Sequence, residues 1–93
     1  MRVEIFYSKE VDKFIENNQN LISKIEIEKL IILSIKKITK IEVVSIDVMA
    51  MKGNYNGYFR IRKGKLRIIF RINLEMIHIV TVEKIDFRGS VYK

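Results

Sequence analysis

The stretch YFRIRKGKLRIIF, Tyr58 to Phe70, decides the fold. Side chains of a strand alternate between its two faces. Phe59, Ile61, Leu66, Ile68, Phe70 and, just beyond, Ile72 make one series; Arg60, Arg62, Lys65, Arg67 and Arg71 fall between them. A glycine in a two-residue loop suits the primed turns that close hairpins. The spacing predicts a hairpin turning at Lys63-Gly64. That register sets Arg62 opposite Lys65, Ile61 opposite Leu66, Arg60 opposite Arg67 and Phe59 opposite Ile68. One face is apolar and belongs on a layer of helices. The other is cationic, with Ile69 among the cations. Directly opposed like charges weaken a sheet, with pair terms of roughly 0.2–1 kcal/mol. No acid lies between Asp47 and Glu75 to neutralise them locally. The face is either a solvated surface kept soluble by cations or a phosphate-binding surface. Guanidinium forks match phosphate oxygens, and bound phosphates relieve the repulsion. The clustering on one face favours phosphate binding.

Outward from the hairpin, VVSIDVMAM (43–51) reads as a strand with Ile46, Val48 and Ala50 on one side, and KGNYNG after it is turn-rich. Met49 and Met51 are expected to pack. MIHIVTVEK (76–84) reads as a last strand, in which His78 alternates with Met76 and Val80 as a packing residue. Toward the N-terminus, RVEIFYS is a short first strand, with Glu4 facing solvent. Ser8 can cap a helix whose stripe is Val11, Phe14 and Ile15, with Glu10 and Asp12 turned outward. NNQN (17–20) reads as a connection. Ser23 and Glu26 have capping-box spacing before a second helix bearing Ile27, Leu30, Ile31, Ile35 and Ile38. Glu26 and Glu28 come early in it and Lys36, Lys37 and Lys40 late, which suits the helix dipole. The order is β-α-α-β-β-β-β. The fold class is α+β: two helices on one face of a largely antiparallel sheet.

A chain of 93 residues fits a single domain, 1–93. Its net charge of +7 favours an anionic partner. The absence of cysteine excludes disulfides and thiolate metal sites and fits a reducing cytoplasm; a single histidine argues against a histidine metal cluster. The expectation is therefore no metal and no cofactor. The opening MRVEIFYSKEVDKF carries charges throughout, without an apolar run of signal-peptide length. The apolar stretch around Leu30–Ile35 is too short to span a membrane, so no membrane role is expected.

GYFRIRKGKLRIIFRIN, followed by FRGSVYK and preceded by MKGNYNGYFRIR, resembles the RelE/ParE superfamily of toxins from bacterial type II toxin–antitoxin pairs. The family pattern is a Y-R-I-R, short turn, Y-R-I-I-Y hairpin, then a strand, then an arginine shortly before a terminal tyrosine. Leu66 stands where the family often has tyrosine, and the C-terminal segment lacks the histidine of some relatives. The resemblance implies a small RelE-like fold. Through the RelE branch it implies a ribosome-dependent endoribonuclease acting on mRNA, partnered by an acidic cognate antitoxin in a hetero-oligomer. By position, Arg60 and Arg62 match two basic residues on the first hairpin strand. Arg67 matches the arginine that binds the scissile phosphate, Arg88 the one upstream of the terminal tyrosine, and Tyr92 that tyrosine. Lys52, Lys63, Lys65, Arg71 and Lys84 are expected to hold RNA around them. The ParE branch shares the hairpin, inhibits DNA gyrase by binding and lacks the ribonuclease residues; the Arg88 and Tyr92 pair favours RelE. A non-toxic basic nucleic-acid-binding module is the third alternative.

The implied chemistry is attack of an RNA 2′-hydroxyl on the adjacent phosphate. It requires alignment, charge stabilisation and transfer of two protons. Arg67, Arg60 and Arg62 are expected as the catalytic arginines that supply charge stabilisation in a shielded site. Tyr92 is the nearby proton-transfer candidate, its pKa lowered from about 10 by surrounding cations. Arg88 is a poor general acid because its pKa is above about 12, but it can orient a phosphate or stabilise the leaving oxygen. Glu83 and Asp86 are lesser acid/base candidates.

Overall fold

The computed structural model describes residues 3–73 and 78–89, with His78 by its backbone alone. Five strands and two helices follow the expected order: β1 (Val3–Tyr7), α1 (Lys9–Asn17), α2 (Lys24–Ile38), β2 (Val48–Ala50), β3 (Phe59–Lys63), β4 (Leu66–Asn73) and β5 (His78–Phe87). They form one sheet in the order β1-β5-β4-β3-β2. Only the β1–β5 pair is parallel.

Both helices begin where the serines dictate. The Ser8 hydroxyl oxygen accepts from the Val11 N–H at 3.1 Å, and that of Ser23 from the Glu26 N–H at 3.2 Å. Each satisfies one of the orphan donors of a first helical turn. α2 ends in a Schellman turn: Lys40 takes the left-handed conformation at φ 59°, and the Ile41 N–H reaches the Lys36 carbonyl at 3.0 Å. The stripes Val11/Ile15 and Ile27/Ile31/Ile35 are buried against Ile61, Leu66, Ile68, Phe70, Val80, Val82 and Ile85. Every buried β3 and β4 member of that cluster belongs to the apolar series of the hairpin.

The register departs from the expected one. Lys63 pairs with Leu66, Arg62 with Arg67, Ile61 with Ile68, Arg60 with Ile69 and Phe59 with Phe70. The loop is Gly64-Lys65, not Lys63-Gly64. Conformational cost explains the choice. A turn at Lys63-Gly64 of type I′ needs positive φ at both residues, including a lysine; a type II′ turn needs it only at the first. Gly64, at φ 56°, fills that first place. The slip moves each partner by two residues, so both faces keep their composition. The opposed arginines become Arg62 and Arg67, and Arg60 instead faces Ile69.

The second departure is the strand expected over 43–51, which is paired only at Val48–Ala50. Single backbone bonds extend the contact by one residue at each end, Arg62 N–H to the Asp47 carbonyl at 3.0 Å and Met51 N–H to the Tyr58 carbonyl at 2.9 Å, while Val43 is wholly exposed. The third is a bulge in β5. Ile69 pairs with Lys84, but the next residue, Phe70, pairs with Val82, which leaves Glu83 as the extra residue. The core side chains of β5 accordingly step from Val82 to Ile85. Ser8 holds the bulge. Its hydroxyl donates to the Glu83 carbonyl at 3.1 Å while its N–H donates to the Val82 carbonyl at 3.1 Å.

One hydroxyl therefore both caps α1 and satisfies the bulge. Ser8→Ala should lower stability by about 1–2 kcal/mol, a cap loss plus an unpaired carbonyl. Ser8→Gly should cost nearly as much, although glycine is normally a tolerable cap. Urea melts of the three proteins measure the difference; a cost of a few tenths for Ser8→Gly would show the bulge bond to be idle.

Candidate functional site

The sheet face away from the helices carries the cations in rows that cross the strands. The first row runs Asp47, Arg62, Arg67, Asp86: Arg62 and Arg67 are cross-strand partners, Asp86 stands opposite Arg67 on β5, and Asp47 flanks Arg62. The second runs Met49, Arg60, Ile69, Lys84. The third includes Arg71, Thr81 and Phe6. The like charges that the hairpin brings together are thus flanked by two carboxylates from neighbouring strands. Asp86 reaches this face only because of the bulge.

Each central arginine is held from one side. The Nε of Arg62 donates to Asp47 Oδ2 at 2.7 Å. Its terminal nitrogens make no hydrogen bond among the described residues, and the side chain is half-exposed. Arg67 Nη1 donates to the carbonyls of Gly64 at 2.8 Å and Leu66 at 2.9 Å. The tight turn that fixes the register therefore also anchors the side chain of Arg67. Asp86 accepts from the N–H of Phe87 at 2.8 Å, which directs one of its oxygens at the backbone. Arg88 follows β5 at the same end of the sheet, where its N–H reaches the Lys65 carbonyl at 2.8 Å. Arg62, Arg67, Lys65 and Arg88 thus gather at the hairpin corner.

The remaining expected site residues are more dispersed. Arg60 lies one row down, half-buried, its Nη2 3.3 Å from Met49 Sδ. Arg71 pairs through Nε with Glu83 at 3.3 Å, an acid aimed there by the bulge. Lys84 lies beside Ile69, which is fully buried although it is on the cationic face. The methylene stem of a long cation can cover such a residue while its head stays wet. Lys52 is exposed after β2. Lys63 belongs to the other face, where its Nζ meets Glu26 Oε2 at 3.1 Å at the start of α2. Tyr92 lies outside the described residues, as do Glu75, Met76 and the side chain of His78.

Three participants escape a reading of the hairpin alone. Asp47 and Asp86 are remote in sequence from the arginines they flank. The signal for Asp86 was present in the step from Val82 to Ile85, which breaks strict alternation within VTVEKIDF. Met49, expected to pack, is instead 54% exposed.

No family model matches the chain, and no curated protein matches it. Solved structures do. YafQ in an E. coli DinJ–YafQ complex superposes with a TM-score of 0.63 at 14% identity, over 99% of this chain and 100% of that one. The YoeB/ParE toxin from Agrobacterium tumefaciens gives 0.61 at 15%, over 91% and 98%. A chain of the RelB–RelE antitoxin–toxin complex from Methanococcus jannaschii gives 0.51 at 17%, over 94% of each. The chain has the fold of the RelE/ParE toxins. The two helices and the mostly antiparallel five-stranded sheet match that architecture; at this identity the likeness speaks for the fold alone.

The flanking acids set an electrostatic expectation. Asp47→Asn removes one negative charge beside Arg62 and keeps an acceptor. The Asp47–Arg62 pair is half-exposed, so stability should change by less than about 1 kcal/mol. Binding of inorganic polyphosphate should tighten and become more salt-dependent. A titration at two salt concentrations reads both; weaker binding by Asp47→Asn would mean that Asp47 is needed to hold Arg62 in place.

Proposed function

We propose that the protein is the toxin of a type II toxin–antitoxin pair and cleaves mRNA on the ribosome. The observation that carries the reading is the cross-strand pair Arg62 and Arg67 on the open face of a RelE-type sheet, with Arg88 following β5 at the same end. Two arginines on cross-strand neighbours, each anchored through one nitrogen, suit a phosphate that gains charge during reaction. The sequence resemblance to the RelE branch supports the same assignment.

In this reading the 2′-oxygen of one nucleotide attacks the phosphorus that joins it to the next. The new 2′-O–P bond forms as the P–O5′ bond breaks. The 2′-hydroxyl proton leaves to a base, and a proton is delivered to the departing 5′-oxygen. The products are a 2′,3′-cyclic phosphate and a 5′-hydroxyl. Arg67 and Arg62 stabilise the pentacovalent phosphate, and Arg88 steadies the leaving side. Tyr92 serves proton transfer, a role that rests on the sequence resemblance. Arg60, Lys52, Lys65, Arg71 and Lys84 attract the flanking RNA. The ribosome supplies the alignment that so few groups cannot impose themselves.

The antitoxin in this reading is acidic, since a net charge of +7 steers a polyanionic segment to the sheet. Complexes of DinJ with YafQ and of RelB with RelE support a partnered state. Pull-down with the product of the adjacent gene should succeed at low salt and weaken at high salt; no co-purification at either would remove the toxin–antitoxin reading.

Arg67→Ala should abolish growth inhibition on induction while shifting the melting temperature little, because Arg67 leads away from the core. On programmed ribosomes, Tyr92→Phe should keep binding and cleave about 10²–10⁴-fold more slowly, the usual worth of a positioned acid or base. Tyr92→Ala should lose affinity as well, by the roughly 1–3 kcal/mol of one base stack. Wild-type cleavage by Tyr92→Phe would move the proton transfer elsewhere. No cleavage by the wild type, with gyrase supercoiling blocked, would replace this reading with a ParE-like one.

A further inference from the structure

Beside the arginine corner, at the outer edge of the sheet, lies a recess of about 330 Å³ lined by Met49, Ala50, Met51, Lys52 and Arg60. Its chemistry differs from that of the corner. Two thioethers give an apolar wall, and two cations stand beside it. Met49 is 54% exposed, so it does not serve the core. It is also held: Arg60, its cross-strand partner, places Nη2 3.3 Å from its sulfur. A methionine wall is polarizable and adapts its shape, and it makes favourable contact with aromatic rings. Arg60 and Arg62 alternate on one strand and face the same side, so the recess directly adjoins the fork that would take a phosphate.

We propose that this recess is a nucleobase subsite. It takes the base of the nucleotide next to the phosphate held by Arg62 and Arg67, with the base against Met49 and Met51 and its own phosphate toward Lys52 and Arg60. The inference rests on the reading that this face binds RNA. The occupant is a single-stranded nucleotide rather than an acidic protein segment. The recess combines a wall suited to a flat ring with cations in line with the phosphate-sized corner. An acidic strand offers carboxylates but no ring. Nothing in the lining reads a hydrogen-bond pattern through a fixed carboxylate or amide side chain, so the subsite accepts bases by shape and stacking.

The test uses the full chain and a short 2′-O-methyl RNA, whose blocked 2′-oxygen cannot attack. Brief peroxide treatment converts accessible methionines to sulfoxides, which mass spectrometry counts residue by residue. Bound oligonucleotide should slow oxidation of Met49 and Met51 several-fold. An abasic site walked along the oligonucleotide should weaken wild-type binding about tenfold at one position, the worth of one base contact. It should cost Met49→Ala little further at that position. Met49 oxidised equally fast with and without RNA, or equal abasic penalties in both proteins, overturns the subsite. So does protection by polyglutamate with none by RNA, or no binding of the oligonucleotide at low salt. Binding that depends on Arg62 and Arg67 but leaves Met49 unprotected removes the subsite and keeps the RNA reading. Protection of Met49 without cleavage of ribosomal mRNA keeps the subsite and removes the ribonuclease.

Discussion

The bulge at Glu83 is the constraint on which the two faces of the molecule depend. A strand that pairs along its whole length presents alternate residues to alternate faces. β5 must serve core positions that are out of phase by one: Val80 and Val82 in its first half, Ile85 in its second, with Phe87 beyond it against Phe14. Without an extra residue at Glu83, Ile85 would turn to the open face while Lys84 and Asp86 entered the core. Burying those charges would cost several kcal/mol each, which a domain of this size cannot absorb. The bulge resolves the conflict, and Ser8 secures it from the start of α1. Helix capping, core packing and the charge pattern of the distant face thus meet at one hydroxyl.

That arrangement changes the meaning of the arginine pair. Taken alone, Arg62 opposite Arg67 is a repulsive contact of roughly 0.2–1 kcal/mol. Asp47 and Asp86 flank it, and the Gly64 and Leu66 carbonyls hold one terminal nitrogen of Arg67. The row carries two positive and two negative charges. It therefore does not act as a diffuse cationic patch. The two arginines are central in the row, each anchored away from the other, Arg62 on Asp47 and Arg67 on the turn carbonyls, and carboxylates stand at both ends. A long polyanion lying along the row would meet those carboxylates. A single phosphate seated between the arginines would not. Attraction for anions over distance comes from the wider surface, with Lys52, Lys65, Arg71 and a net charge of +7, and the row differs from that surface in carrying charges of both signs.

Much of this was legible in the sequence where it depends on local chemistry. The serines capped the helices they precede, and the stripes of Val11/Ile15 and Ile27/Ile31/Ile35 became the buried faces, because capping and periodicity act over one or two turns. The division of the hairpin into an apolar and a cationic face was legible because alternation does not depend on the partner. The register was harder. It turned on whether Lys63 or Gly64 takes positive φ, a difference of about 1–2 kcal/mol at one residue. The ends of β2 and the flanking roles of Asp47 and Asp86 depend on contacts between strands far apart in sequence. Of those, only the phase change in VTVEKIDF left a local trace. Lys63 shows the limit of composition: a cation of the same hairpin, its position on the helix-facing side is set by parity alone.

The division of labour between the faces has a thermodynamic consequence. The helix-facing side of the sheet is spent on the core, where Ile61, Ile68, Phe70, Val80 and Val82 are fully buried. The open face carries Arg62 and Arg71 in half-exposed ion pairs, which contribute little to holding the fold. An anion seated there does two things at once. It gains charge-assisted hydrogen bonds, and it removes a repulsion that the unliganded sheet carries. Ligand binding to the native state alone always stabilises it. Here part of that stabilisation would be relief of the penalty for setting Arg62 opposite Arg67.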